Sequence, residues 1–280
     1  MKTKNYSKHL GEILVQELIN VKEVSQYYKK GNFFSRVPLN MALNKVSFSL
    51  FENRNLGILG RNGAGKSSLV RILLGLEKPK SGQVTILSKE YFKGEDRELK
   101  KSIQAVFQDP QSSLNPRWSA RECLLEGLAN FKMLKNAKEQ SEELADIIEL
   151  SKDSLDKKSS EFSGGEQQRI NLARVLALRP KILILDEALS NLDVHLQMRM
   201  IEKLKSLQKQ FQMTYIVISH DLRIVLQLCE DILLLKNGQI VFRTNKEKGI
   251  YKAISREQRG DGENYFYEFY QASFQHLVFD

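Results

Sequence analysis

The stretch GRNGAGKSS, Gly60 to Ser68, decides how the rest of the chain is read. Its first eight residues fit the spacing GxxxxGK[ST], and both flanks suit it: the apolar strand pattern NLGIL runs into it, and KSSLVRILLG leaves it with a helical pattern. Glycines let successive backbone N–H groups turn inward around phosphates, and the helix N-terminus adds a partial positive charge. Lys66 reaches the outer phosphates, and the Ser67 hydroxyl suits a magnesium ion. Gly60, Arg61, Asn62, Gly63, Ala64, Gly65, Lys66, Ser67 and Ser68 are therefore the candidate nucleotide-binding loop. The helix after it is expected to end near Gly75 and to place Leu69, Leu73 and Leu76 near one face.

Two more stretches carry phosphate chemistry. The run ILIL at 182 to 185 ends in Asp186-Glu187. An aspartate at the end of a buried strand can hold the magnesium shell, and a neighbouring glutamate can accept a proton from water attacking the terminal phosphate. The segment EFSGGEQQRI, Glu161 to Ile170, sets a serine and two glycines at the start of a helical pattern, a second anion cradle. One chain thus presents two phosphate sites.

Composition narrows the classes. Apolar residues make up 41% and charged residues 28%, ordinary values for a soluble globular chain, and the longest apolar runs are far too short to cross a bilayer. The basic start MKTKNYSKHLGE lacks the apolar stretch of a secretory signal. Cys123 and Cys229 stand far apart, which argues against a disulfide framework or a structural zinc site, and His9, His195 and His276 have no partners at ligand spacing. A net charge of +9 admits nucleic acid, an anionic membrane or a nucleotide, but the aromatic and basic interleaving of RNA readers is missing. No nucleic-acid partner is expected.

The order of patterns predicts an α/β fold. ILVQELINVKEV, KVSFSL and NLGILG read as opening strands, QVTIL and SIQAVFQ as later ones, and Ser119 to Leu150 as a helical block. KILILDEA reads as a strand covered on both faces, Val194 to Phe211 as a helix, and MTYIVISHD as a further strand. Asn237-Gly238 between two apolar runs signals a hairpin. The expected architecture is a P-loop NTPase (RecA-like) core with an antiparallel β subdomain and an inserted α-helical subdomain at about 109–162. The domain is expected to span 1–245, with an aromatic-rich tail at 246–280 packed on it as a terminal helix or strand.

These motifs, in this order, resemble the ATP-binding cassette (ABC) ATPases. The resemblance runs to about Arg243 and implies ATP and Mg²⁺ as cofactors. SGGEQ at 163 to 167 resembles the family signature, with Glu166 where glutamine is commoner and Phe162 where leucine is commoner. The family pattern implies that Ser163, Gly164, Gly165 and Glu166 close over a nucleotide held by a second cassette. It also implies that Ser67, Gln108 and Asp186 serve the metal, and that Glu187, His220 and Gln108 are catalytic. SNLD at 190 to 193 resembles the loop linking partner sites, and Tyr28, with Tyr27 close behind, is the adenine-stacking candidate. Taken singly, Gln108 could be a turn residue, His220 a helix cap and Tyr28 core; their co-occurrence carries the functional reading.

FQDPQSSLNPRWS, Phe107 to Ser119, and the segment from Asp186 to Phe211 resemble the oligopeptide, dipeptide and nickel importer group, nearest its nickel-importing cassettes. Arg117 and Trp118 are candidate docking residues for a membrane subunit, although Trp118 could equally be packed inside. The resemblance implies a second ATPase subunit, identical or different, two membrane permease subunits, an extracytoplasmic binding protein met indirectly, and a peripheral place on the cytoplasmic face of the cell membrane. It implies uptake of nickel or a related transition metal or chelate, with peptide import as the alternative. DNA-repair and translation-associated relatives form a third class. The former separate the motif halves by long coiled coils, whereas Lys66 to Ser163 holds only a short subdomain, and the latter usually carry two cassettes per chain.

Overall fold

The computed structural model describes residues 15–29, 39–91, 96–107, 113–190, 192–245 and 260–274. Gln108, Asn191, His9 and His276 lie outside the described residues. With elements numbered in chain order, four strands form the middle of the molecule: β3 (Leu56–Leu59), β7 (Ile182–Asp186), β8 (Thr214–Ser219) and β9 (Asp231–Lys236). Their residues alternate between two hydrophobic clusters. Ile58, Ile184, Ile216, Ile218, Leu233 and Leu235 face one, while Leu183, Leu185, Tyr215, Val217, Ile232 and Leu234 face the other. Burial on both faces is why these strands read as unbroken apolar runs.

Together with β6 (Ile103–Val106) and β10 (Gln239–Asn245) they form a six-stranded sheet in the order β10-β9-β3-β8-β7-β6, parallel except for the β9–β10 hairpin. Asn237 and Gly238 turn that hairpin with φ of 50° and 75°, the left-handed pair a two-residue turn needs. The same turn braces the nucleotide loop, since the Gly238 N–H donates to the Ala64 carbonyl at 2.9 Å. Opposite lies an antiparallel sheet of β1 (Glu17–Lys29), β2 (Leu39–Phe51), β4 (Ser81–Ile86) and β5 (Lys89–Glu90), in the order β2-β1-β4-β5. Between the sheets sits α1 (Lys66–Leu73), which buries Leu69, Val70, Ile72 and Leu73.

On the other side of the parallel sheet pack α5 (Gly164–Leu176), α6 (Val194–Phe211), α7 (Leu222–Leu228) and α8 (Asp261–Phe274). Helix α5 is shared between two cores. Leu172, Val175 and Leu176 pack under the sheet, whereas Ile170 and Ala173 join a third cluster with α3 (Ala120–Asn130) and α4 (Ala137–Ile147). Within the C-terminal tail the described residues Asp261–Phe274 form a helix packed under the sheet, and residues 246–259 and 275–280 lie outside the described residues.

The structure corrects the sequence reading at three points. Leu76 is 62% exposed and off the face of Leu69 and Leu73. Gly75, at φ 69°, ends α1 in a Schellman motif, with the Leu76 N–H on the Arg71 carbonyl and the Gly75 N–H on that of Ile72. The helical block from Ser119 to Leu150 is two helices, because Lys132 is left-handed and Asn136 caps a fresh start at α4. Helix α2 (Arg97–Ser102), capped by Asp96, precedes β6 unannounced, since six residues with only Leu99 buried leave no periodic signal. Among the described residues no helix is long and apolar enough to cross a membrane.

Candidate functional site

The loop after β3 turns at Gly63 and Gly65, with φ of 79° and 107°. A Cβ at Gly65 would also lie 2.3 Å from the Ala42 carbonyl oxygen, so only glycine fits. Helices α2 to α7 all begin with a side-chain cap, from Asp96, Ser119, Asn136, Ser163, Asp193 and Asp221. Helix α1 begins at Gly65 with none, so no cap side chain takes up its first amides. The Lys66 ammonium, buried beneath that loop, donates to the Gly60 carbonyl at 2.6 Å and the Arg61 carbonyl at 3.3 Å. Burial lowers its pKa, and the charges of Glu187 and Asp186 work against that shift.

Those two acids stand at the end of β7. Asp186 pairs in register with Ile218 of β8, and the next amide, that of Glu187, donates to the Ile218 carbonyl at 2.9 Å. Burial, reinforced by the Glu187 charge and offset by Lys66, pushes the Asp186 carboxyl up to about 6. Glu187 is itself buried and holds a left-handed φ of 52°, a conformation a non-glycine residue keeps only when its surroundings enforce it. Its Oε2 lies 2.8 Å from Nδ1 of His220, which follows β8 directly and is 61% exposed. The strands thus bring together two residues that the sequence reading treated separately.

The second cradle opens α5. The Ser163 hydroxyl donates to Glu166 Oε2 at 2.7 Å, the Ser163 N–H donates to the same oxygen at 2.9 Å, and the Glu166 N–H returns to Ser163 Oγ at 3.4 Å. These bonds form a capping box and hold the Glu166 carboxyl below its ordinary range, through the hydroxyl first and the amide second. Gly164 is exposed, has an ordinary helical backbone, and a Cβ there would meet nothing within 4 Å. Among the described residues nothing requires glycine at that position. Buried Gln168 ties the helix to the acidic strand end by donating to the Ala188 carbonyl at 2.7 Å.

A phosphate-type loop, an acidic strand end and a glycine-led helix start in one α/β frame can be compared with known proteins. Residues 43–190 match the ABC transporter family. The nickel import ATP-binding protein NikE of Escherichia coli O6:K15:H31 (strain 536 / UPEC) is 41% identical over 229 residues, 80% of this chain and 85% of its own. The chain belongs to the ABC transporter family. Among solved structures, the dimeric post-hydrolysis ATP-binding cassette MJ0796, bound to ADP and Pi, has a TM-score of 0.73 at 28% identity, covering 81% of this chain and 98% of that one. The cassette cbiO1 of Clostridium perfringens, part of the ABC transporter complex cbiONQ, has a TM-score of 0.70 at 28% identity, covering 82% and 88%. This chain is accordingly an ABC-type ATPase that binds ATP.

Other residues of the ABC cassette surround these motifs. Tyr28 and Tyr27 are partly exposed, and the Tyr28 hydroxyl lies 2.5 Å from Glu77 Oε2 and 3.3 Å from Ser68 Oγ on α1. Glu77 is gripped as well by Arg71 at 2.6 Å and Gln26 at 3.1 Å, and the Tyr28 bond is the main cause of its lowered pKa. No motif singled out Glu77; its only sequence signal is its place just past the end of α1. A groove of about 510 Å³ runs between the sheet and the helical layer, lined by Leu76, Tyr91, Phe107, Phe131, Gln104 and Arg174 among others. Neither Arg117 nor Trp118 lines it, although Trp118 is 36% exposed nearby in sequence.

Proposed function

We propose that this chain is one of a pair of ATPase subunits that drive an importer of nickel or a related transition metal or chelate. The observation that carries the paired mechanism is Gly164. Glycine in a helix interior costs up to about 1 kcal/mol relative to alanine, and among the described residues none accounts for glycine at the start of α5. A phosphate approaching from a second cassette does. The nickel assignment is supported by the relatives at 40–41% identity, which are nickel import ATP-binding proteins.

In this reading the α1 amides and Lys66 hold the phosphates of one ATP, and Ser163 with the Gly164 and Gly165 amides of the facing cassette completes the shell. Tyr28 stacks on the base. The Ser67 hydroxyl and Asp186 carboxylate are hard oxygen ligands that suit Mg²⁺, and a buried carboxylate with raised pKa is a group a cation would stabilise in its charged form. Bound there, Mg²⁺ would neutralise charge on the phosphates. Gln108 belongs to the same shell by its motif.

Glu187 accepts a proton from the attacking water. Its Oε2 is engaged by His220 Nδ1, so the proton goes to Oε1, the new P–O bond forms and the bond to the β-phosphate oxygen breaks, leaving ADP and phosphate. Loss of the shared γ-phosphate lets the cassettes part. The apolar groove lined by Phe107 and Phe131 receives a helix from one permease subunit and the second cassette receives one from the other, which holds the ATPase pair at the cytoplasmic face of the membrane while an extracytoplasmic protein delivers the cargo.

Glu187→Gln is expected to keep ATP affinity while slowing turnover about 10² to 10⁴-fold and trapping a closed dimer on size-exclusion chromatography. Near-normal hydrolysis would remove Glu187 from the role. In cells carrying the transporter genes, the same variant should abolish uptake of radioactive nickel. Intact nickel uptake with loss of dipeptide uptake would transfer the assignment to peptides.

A further inference from the structure

Helix α8 lies beyond the residues that match the family, yet it reaches both loops of the nucleotide site. Phe266, Phe269 and Tyr265 anchor it in the cluster beneath the parallel sheet, with the Phe266 ring 5.1 Å from that of Phe242. From this anchored helix Glu268 Oε2 accepts from Arg61 Nη2 of the phosphate loop at 3.0 Å. One and a half turns further on, Ser273, which is buried, accepts the Leu222 N–H on its Oγ at 3.1 Å.

The second contact has the greater consequence for chemistry. Leu222 is the first residue of α7, and its amide is one of the donors that a helix start leaves without an intrahelical acceptor. The cap residue Asp221 serves Arg223 instead, accepting its N–H at 2.8 Å, while the Asp221 N–H goes to Ser219 Oγ at 2.9 Å. His220 stands inside this turn, with Nδ1 on Glu187. Two of the ties holding the turn come from the turn itself and its helix, and the third comes from the C-terminal helix, 51 residues on.

We propose that Ser273 is a positioning residue for hydrolysis: it fixes the 219–222 turn so that His220 stays on Glu187. The inference rests on the catalytic reading of Glu187 and His220 given above. It assigns the tail helix a part in the chemical step, and predicts that this contact governs kcat and not the affinity for ATP.

The test uses the full chain assembled with its partner cassette, well below its melting temperature. Ser273→Ala should lower kcat about three- to tenfold, the worth of one ordinary hydrogen bond, with KM for ATP unchanged. Ser273→Thr, which restores a hydroxyl, should recover wild-type kcat. In a His220→Ala background, Ser273→Ala should have no further effect, a non-additivity that a purely structural role would not produce. If Ser273→Ala does not fold, Ser273→Cys keeps the shape with a weaker acceptor and should give an intermediate kcat. Unchanged kcat in Ser273→Ala or in Ser273→Cys, failure of threonine to rescue, or additive losses would overturn the inference. If His220→Ala itself hydrolyses ATP at the wild-type rate, the catalytic reading fails; if only His220→Ala is slow, the role of Ser273 alone fails.

Discussion

Asp186 ends a strand whose other residues are sealed from water, and its carboxyl is pushed up to about 6 by that burial. Between the ordinary carboxylate pKa and about 6 the folded chain therefore binds more protons than the unfolded one. The stability this group contributes is fully present below the lower value and is lost as pH rises through about 6. At pH 7.5 the ionised, buried carboxylate is a strain that a bound cation relieves. Asp186→Asn is accordingly expected to raise the melting temperature of the nucleotide-free chain by a few degrees at pH 7.5 and much less at pH 4.5, and to remove the Mg²⁺-dependent part of stabilisation by ATP. Differential scanning calorimetry at the two pH values checks it, and an unchanged melting temperature at pH 7.5 would argue against the burial effect. The identity of Asp186 was legible in the sequence because an apolar run of strand length stops there. The Glu187 to His220 contact was not, since 33 residues separate the pair and only the parallel register of β7 on β8 makes them neighbours.

At the scale of the element, α5 shows what a helix start can disclose. Gly164 has an ordinary backbone and, among the described residues, open space where a Cβ would stand: Gly60 and Gly65 are hemmed in, Gly63 holds a positive φ, and a Cβ at Gly165 would make an ordinary packing contact with Leu196 at 3.6 Å. Gly164→Val is therefore expected to change stability by no more than about 0.5 kcal/mol. Hydrolysis in the assembled dimer should still fall by at least about tenfold, because in the proposed pair the side chain would stand where the facing phosphate arrives. Denaturant melts and steady-state ATPase rates measure the two effects, and full activity would place the second cradle elsewhere. Long elements were readable: α6 and the β9–β10 hairpin lie where their periodicity and the Asn237-Gly238 pair put them. Short ones were not, because α2 has a single buried residue and the break between α3 and α4 rests on a left-handed lysine that no pattern marks, followed by the Asn136 cap.

For the whole molecule, the three clusters explain how distant motifs are held in one frame: α5 packs on the sheet through Leu172 and Leu176 and on the helical layer through Ile170 and Ala173. In the paired arrangement proposed above, a connection of that kind presents Ser163 to the nucleotide of the neighbouring cassette. In the isolated chain, Ser163→Arg should leave ATP affinity by calorimetry within about twofold of wild type, whereas Lys66→Ala should weaken it at least about tenfold. Within the dimer both should block hydrolysis, and where two copies pair, mixing the variants should recover roughly a quarter of the wild-type rate. Equal loss of ATP affinity in the two isolated variants would put both cradles on one nucleotide. The capping box adds a consequence for the resting state. Glu166 already presents a negative oxygen to the Ser163 hydroxyl and amide, so in the paired arrangement proposed above an incoming phosphoryl group would have to evict a tenant of its own sign before it could settle. Two idle cassettes meeting by chance thus find the latch occupied, and only a ligand richer in charge than a carboxylate turns the encounter into an embrace.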